Sequence, residues 1–214
     1  MSLAYLDANV LVPSFARTLL IMSAPLSDFR VVWSLHAEAE AERHQASSAI
    51  PISTLRKRFG WDALVPDGEV ELVDTDAMDK PILAAASLAG ADFVITENVK
   101  DFGAEDLTGL RMSVVHPDFF LAQRLTVETY RDVLTRLART RTKEPDTAEE
   151  MHRIETGEHL PLLAARMADA YSVTPLPAAK GQPRLKFRGV RCASCGDDLT
   201  DKTGLKFGFC SDCR

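Results

Sequence analysis

Short apolar runs alternate with stretches of helical period along the first half of the chain. Ser2–Leu6, Phe29–Trp33, Val70–Val73, Asp92–Thr96 and Met112–Val115 are apolar runs bounded by polar or turn-forming positions, the pattern of short strands. Between them the spacing predicts a helix over Pro13–Met22, with Pro at its first turn, and another from a Ser34 N-cap to about Ser48. Two more are predicted over Ile52–Phe59, which carries Arg56, Lys57 and Arg58, and over Lys80–Leu88, where Ile82, Leu83, Ala86 and Ala89 fall at helical spacing. No tight hairpin signal joins the strands. This alternation predicts an α/β fold, a central parallel sheet flanked by crossover helices.

The character changes after His116-Pro117. Val127, Tyr130, Leu134 and Leu137 form one helical stripe, Thr147 with Glu150 reads as a capping box, and Leu160, Leu163, Met167 and Tyr171 form another stripe. The predicted organisation is a domain over 1–124, a helical extension over 125–172, a linker over 173–190 and a cysteine module over 191–214. The linker carries Lys180, Arg184, Lys186 and Arg188 and no acid.

With 214 residues, 46% of them hydrophobic, the chain can bury a real core. The net charge of −6 argues against a protein that binds nucleic acid over its whole surface, but not against local basic patches. No apolar stretch approaches the ~20 residues of a membrane span. The N-terminus lacks the basic and apolar regions of a secretory signal, so the expected location is the cytoplasm. All four cysteines lie near the C-terminus as Cys192-x2-Cys195-x14-Cys210-x2-Cys213. In a reducing compartment this spacing predicts a closed four-thiolate Zn2+ site of structural type. Phe207 and Phe209 either fill the core of that module or stack on bases, and core packing is the favoured expectation.

Three acidic signatures each lie just past an apolar run that could be a buried strand: Asp7-Ala8-Asn9, Asp76-Ala77-Met78-Asp79 and Thr96-Glu97-Asn98-Val99-Lys100-Asp101. Strand C-terminal ends converge on one edge of a parallel sheet, and ligands bind there. Carboxylates gathered on that edge repel one another unless a cation shares them. The pattern points to a divalent-metal site and, with a bound water, to phosphodiester hydrolysis. Each residue also has a plainer role open to it. Asp7 and Asp79 can cap helices, Asn98 can make an Asx turn, and Asp74 and Asp76 compete for any metal role. The Asp-x-Asn at residue 7 is a weak match to haloacid-dehalogenase phosphatases, which carry a second Asp where Asn9 stands.

Taken together, these segments resemble the PIN-domain endoribonucleases, in particular the larger VapC-like bacterial toxin type. The resemblance rests on Tyr5-Leu6-Asp7-Ala8-Asn9-Val10-Leu11, on Trp33-Ser34 leading into a Glu-bearing helix, and on Asp79-Lys80-Pro81-Ile82-Leu83-Ala84-Ala85-Ala86. It continues through Gly90–Phe102 and His116-Pro117-Asp118-Phe119-Phe120, covering about four fifths of the chain but not the cysteine module. It implies a PIN-like sheet and a site of Asp7, Glu40, Asp79 and Asn98 holding Mg2+ or Mn2+, with Asp101 as a further ligand. The family places its second acid on the helix after Trp-Ser. Glu38, Glu40 and Glu42 compete there, and the spacing from Trp33 favours Glu40. Asn98 stands where the family commonly has Asp.

The resemblance also implies RNA as substrate, a small antitoxin partner and a homodimer. The candidate RNA contacts are Lys180, Arg184, Lys186 and Arg188, with Arg17, Arg56, Lys57, Arg58, Lys80 and Lys100 as weaker ones. Two rival expectations are a ribosomal-RNA maturation nuclease, because PIN domains also occur with zinc ribbons, and a degenerate module that binds RNA or protein without cutting.

Overall fold

The structure, a computed structural model, describes residues 1–12, 15–47, 49, 51–59, 63–179 and 185–214, apart from the side chains of 58 and 59. It is an α/β fold around a six-stranded, mostly parallel sheet. In chain order the first elements are β1 (Ser2–Leu6), α1 (Ala8–Leu11), α2 (Phe15–Ser23), β2 (Phe29–Ser34), α3 (Leu35–His44), α4 (Ile52–Phe59) and β3 (Leu64–Val65). They are followed by α5 (Lys80–Leu88), β4 (Phe93–Ile95), α6 (Ala104–Leu110), β5 (Ser113–Val115), α7 (Pro117–Arg124) and α8 (Val127–Ala138). The chain ends with α9 (Ala148–Met151), α10 (Gly157–His159), α11 (Pro161–Arg166), β6 (Phe187–Gly189) and α12 (Lys202–Phe207).

The strand order is β3-β2-β1-β4-β5-β6. From β1 the chain builds outward through β2 and β3, then returns to the other side of β1 for β4 and β5. Ala4 lies opposite both Val31 and Phe93, so β1 is flanked on both edges by parallel partners. The reversal makes β1 a topological switch point, and in open parallel sheets ligands bind outside the C-terminal strand ends at such a point. Tyr5, Phe29, Trp33, Phe93, Phe102 and Phe120 are among the largest fully buried side chains. Phe120 on α7 meets Phe29 edge-on at 5.1 Å and Phe93 at 5.6 Å.

Three local expectations are corrected. Val70–Val73 is not a strand; from its last residue on, the N–H groups of Val73, Asp74 and Thr75 donate to the Asp106 carboxylate at 2.8, 3.1 and 2.9 Å, so the run cannot extend into a ladder there. The edge position goes instead to Leu64–Val65, opposite Trp33–Ser34. Helix α3 stops at His44, with Gln45 as C-cap in an extended conformation. The run 173–190 is not all linker, since Phe187–Gly189 pairs antiparallel with β5 and covers the unpaired groups of what is otherwise an edge strand.

The C-terminal segment shares the core of the sheet domain: Phe187, Cys192, Ala193 and Leu199 belong to the same buried cluster as β1 and β4. Arg124, with its side chain fully buried, reaches from α7 to Ala193 O (2.8 Å), Asp28 (2.9 Å) and Ser2 Oγ (3.2 Å). The helical extension is held to α7 by Asp118, whose carboxylate accepts from Leu162 N (3.0 Å) and Leu163 N (2.9 Å) and caps α11. Among the described residues no helix is long and apolar enough to cross a membrane.

Candidate functional site

Asp7 ends β1 at the switch point. Its Oδ1 accepts from Ala8 N (2.6 Å), so it does cap α1. Its Oδ2 accepts from Thr96 Oγ1 (2.7 Å) and Asn9 Nδ2 (2.7 Å). Asn9 also donates to Thr96 Oγ1 (2.9 Å) and accepts from Glu97 N (3.1 Å), which ties the end of β1 to the end of β4. Burial raises the Asp7 carboxyl to about 6; the bonds from Thr96 and Ala8 oppose this, and the charge of Glu40 adds to it.

Asp79 occupies the N-cap position of α5 but makes no side-chain capping bond, and Pro81 sits in the first turn, where its missing N–H costs nothing. Burial, followed by the charges of Asp7, Asp101, Asp76 and Glu40, raises Asp79 to about 6. These mutual effects place the carboxylates within electrostatic reach of one another. They come from after β1, from the helix after β2, from before α5 and from after β4, four separate parts of the sheet.

The three helix glutamates divide by their partners. Glu38 is buried, accepts from Trp33 Nε1 (2.8 Å) and pairs with Arg56 (3.3 Å). Glu42 accepts from Ser53 N (3.2 Å) and Ser53 Oγ (3.1 Å), tying α3 to α4. Glu40 is half-buried, faces His36 at 3.8 Å and is the glutamate whose charge acts on Asp7 and Asp79. Asp101 is half-buried, 3.9 Å from Lys100, and also acts on Asp79. The Asn98 side chain is exposed, and its N–H donates to Thr96 Oγ1 (3.0 Å). Asp76 bonds Met78 N, while Asp74 bonds the first turn of α6 through Glu105 N and Asp106 N.

The acidic edge is open. Among the described residues the one group of three or more His, Cys, Asp or Glu whose ligand atoms all lie within 4.8 Å of one another is Cys192, Cys195, Cys210 and Cys213. A cation that keeps several of its own waters suits the wider spacing of the acids better than one that needs a closed cage.

The four cysteines are free thiols on two knuckles and form a group able to hold a metal ion. Cys195 Sγ and Cys210 Sγ are 3.6 Å apart, close to the ~3.8 Å that a tetrahedral ion imposes with Zn–S bonds of ~2.3 Å. Gly196 (φ +87°) and Gly208 (φ +81°) make the left-handed turns, and Cys210 N points at Cys192 Sγ (3.4 Å). Burial opposes ionisation of the Cys192 thiol, but N–H groups of Cys195, Cys210 and Ser194 outweigh it and bring the thiol down to about 7. Phe209 packs on Phe119 (5.3 Å), whereas Phe207 is exposed beneath Lys206.

Several of the basic candidates have partners inside the molecule. Lys80 Nζ donates to Leu72 O (2.7 Å), Arg17 is buried and donates to Leu11 O (2.8 Å), and Lys186 lies over the Phe119 ring (5.9 Å). Arg188 donates to two backbone carbonyls. Lys57 and Lys100 are exposed. Lys180 and Arg184 lie outside the described residues. Sequence reasoning missed Asn9 as a partner of Asp7, although its position two residues along, at the start of a helix, was a usable signal. It read Arg188 as an RNA contact and missed its carbonyl partners, which depend on strand pairing. No protein-family model, no curated protein and no solved structure matches the chain.

Proposed function

We propose that this chain is a metal-dependent endoribonuclease of the PIN type, the toxin of a toxin–antitoxin pair, carrying a zinc-ribbon-like C-terminal module. One observation carries the proposal: at the switch point of a parallel sheet the buried Asp7 carboxylate is held by Thr96 from the end of β4 and by Asn9, and Asp7 and Asp79 lie within reach of each other's charge and that of Glu40. Acids perturbed by burial and by one another are the kind of group that working sites use. Asp7, Asp79 and Glu40 would hold Mg2+, with Asn98 and Asp101 beside them. Bound there, the ion supplies a water of lowered pKa and polarises a phosphoryl oxygen.

The protein residues do the rest. Thr96 and Asn9 fix Asp7 Oδ2 against rotation. Glu40 orients the attacking water from α3. The sheet ends position the phosphate, and specificity comes from RNA shape and single-stranded loops rather than base-reading contacts. Zinc at the four cysteines is structural, because all four positions are thiolates. A small antitoxin covers the acidic edge, and the chain pairs with a second copy.

A mixed RNA pool tests the proposal. Wild type should cut it with Mg2+ and not without. Asp7→Asn and Asp79→Asn should abolish cutting while keeping the fold. Full cutting by both variants removes the site assignment. No cutting by wild type with Mg2+ or Mn2+ moves the chain to the second reading, a non-cleaving RNA- or protein-binding module, which the missing charge at Asn98 favours. Growth arrest on expression separates a toxin from a ribosomal-RNA maturation nuclease.

A further inference from the structure

Arg188 does not present its charge as a free RNA contact. Its Nη1 donates to Lys100 O (3.2 Å) and to Phe102 O (2.6 Å), the carbonyls on either side of Asp101. The same turn is stitched on its other side. Asp101 O accepts from Asp76 N (2.9 Å), Asp101 N donates to Asn98 O (3.0 Å), and Gly103 N donates to Thr75 Oγ1 (3.0 Å). The turn that carries Asn98 and Asp101 is thus held between the segment leading to Asp79 and one guanidinium from β6.

Strand β6 has its own anchors. Arg188 pairs with Val114 on β5, and His116 N donates to Lys186 O (2.9 Å). Beyond the strand, the Ser113 hydroxyl bonds Arg191 N (2.6 Å) and Arg191 O (3.1 Å). Gly208 sits so close to the Phe187 ring that a Cβ there would fall 2.7 Å from it. The cysteine knuckles follow directly on β6, and Gly208 lies in the second of them.

We infer that Arg188 is a positioning residue through which the cysteine module sets the backbone of the Asn98–Asp101 turn at the acidic edge. The inference deepens the proposed function and rests on it for the metal-binding role of that edge. Both bonds leave one nitrogen, Nη1, through its two hydrogens; a lysine ammonium has the donors but, on its shorter and more flexible stem, holds them in place less well. Releasing the turn frees Asp101 and Asn98 to move away from Asp79, and cation affinity falls with them.

The test uses the full zinc-loaded chain and its Arg188→Ala, Arg188→Gln and Arg188→Lys variants, with two readouts. One is hydrogen exchange at the amides of Asp76, Asp101 and Gly103, with β1 amides as the control for global folding. The other is Mn2+ titration, with Asp79→Asn marking binding at the acidic edge. Arg188→Ala should keep its zinc and its β1 protection, speed exchange at the three amides by about tenfold or more, and weaken Mn2+ binding by about fivefold or more. Arg188→Lys should recover part of both effects. Unchanged exchange in Arg188→Ala overturns the inference, as does loss of β1 protection together with the turn in all three variants. A wild type that binds no Mn2+ overturns the metal reading of the edge, and the exchange result then decides the role of Arg188 by itself.

Discussion

Replacing Asp7 with Asn should make the metal-free protein more stable at neutral pH. The residue is 4% exposed, and burial with Glu40 nearby raises its carboxyl from 3.8 to about 6. Between those two values the folded chain keeps a proton that the unfolded chain has lost. The native state binds more protons over that window, so stability is greatest below it and falls as pH rises through it. A shift of roughly two pKa units corresponds to about 3 kcal/mol. Asparagine removes the charge but puts an amide nitrogen where Oδ2 accepts from Asn9 and Thr96, at a cost of about 1 kcal/mol. The net gain is about 2 kcal/mol above about pH 7, or about 4–8 °C in Tm for a chain of this size.

Calorimetry of the zinc-loaded proteins without added Mg2+ measures the effect. The order of the two Tm values should reverse at about pH 4 and below, as the wild-type carboxyl becomes protonated in the folded and then also in the unfolded chain and the lost hydrogen bonds come to dominate. Adding Mg2+ at neutral pH should raise the Tm of wild type and leave that of Asp7→Asn unmoved. An Asp7→Asn protein that is less stable than wild type by the same margin at both pH values would falsify the idea that ionising Asp7 strains the fold.

Other variants separate structure from chemistry. Glu38→Ala should cost about 2–3 kcal/mol in denaturant unfolding, because it strips a buried acceptor from Trp33 and Arg56, while Glu40→Ala should leave stability nearly unchanged and slow RNA cleavage by about a hundredfold or more. The full chain should take up a single zinc ion by elemental analysis, and Cys210→Ser should lose it and unfold at lower temperature. Asp118→Ala should cost about 2 kcal/mol or more by leaving two N–H groups of α11 without their acceptor, read as faster hydrogen exchange through the extension.

The alternation of short apolar runs with helical stretches determined the α/β class, because the spacing of side chains on a strand or helix is a local property. The order of the acidic signatures placed Asp7 and the Asn98 turn just past strand ends and Asp79 just before a helix. The cysteine spacing did the same for the knuckles. Tertiary structure decided the rest. Glu38, Glu40 and Glu42 are chemically equal on a helical wheel, and only Trp33, Arg56 and Ser53 divide them by taking two of the three. Val70–Val73 has the composition of a strand, but the Asp106 carboxylate, more than thirty residues away, claims the N–H of Val73 and those of the next two residues. Arg188 reads as an RNA contact from its basic stretch alone, but the pairing of β6 with β5 carries its guanidinium to the turn beside Asp101. In each case the deciding partner lies far along the chain, and a local pattern holds no record of which distant group will satisfy a hydrogen bond.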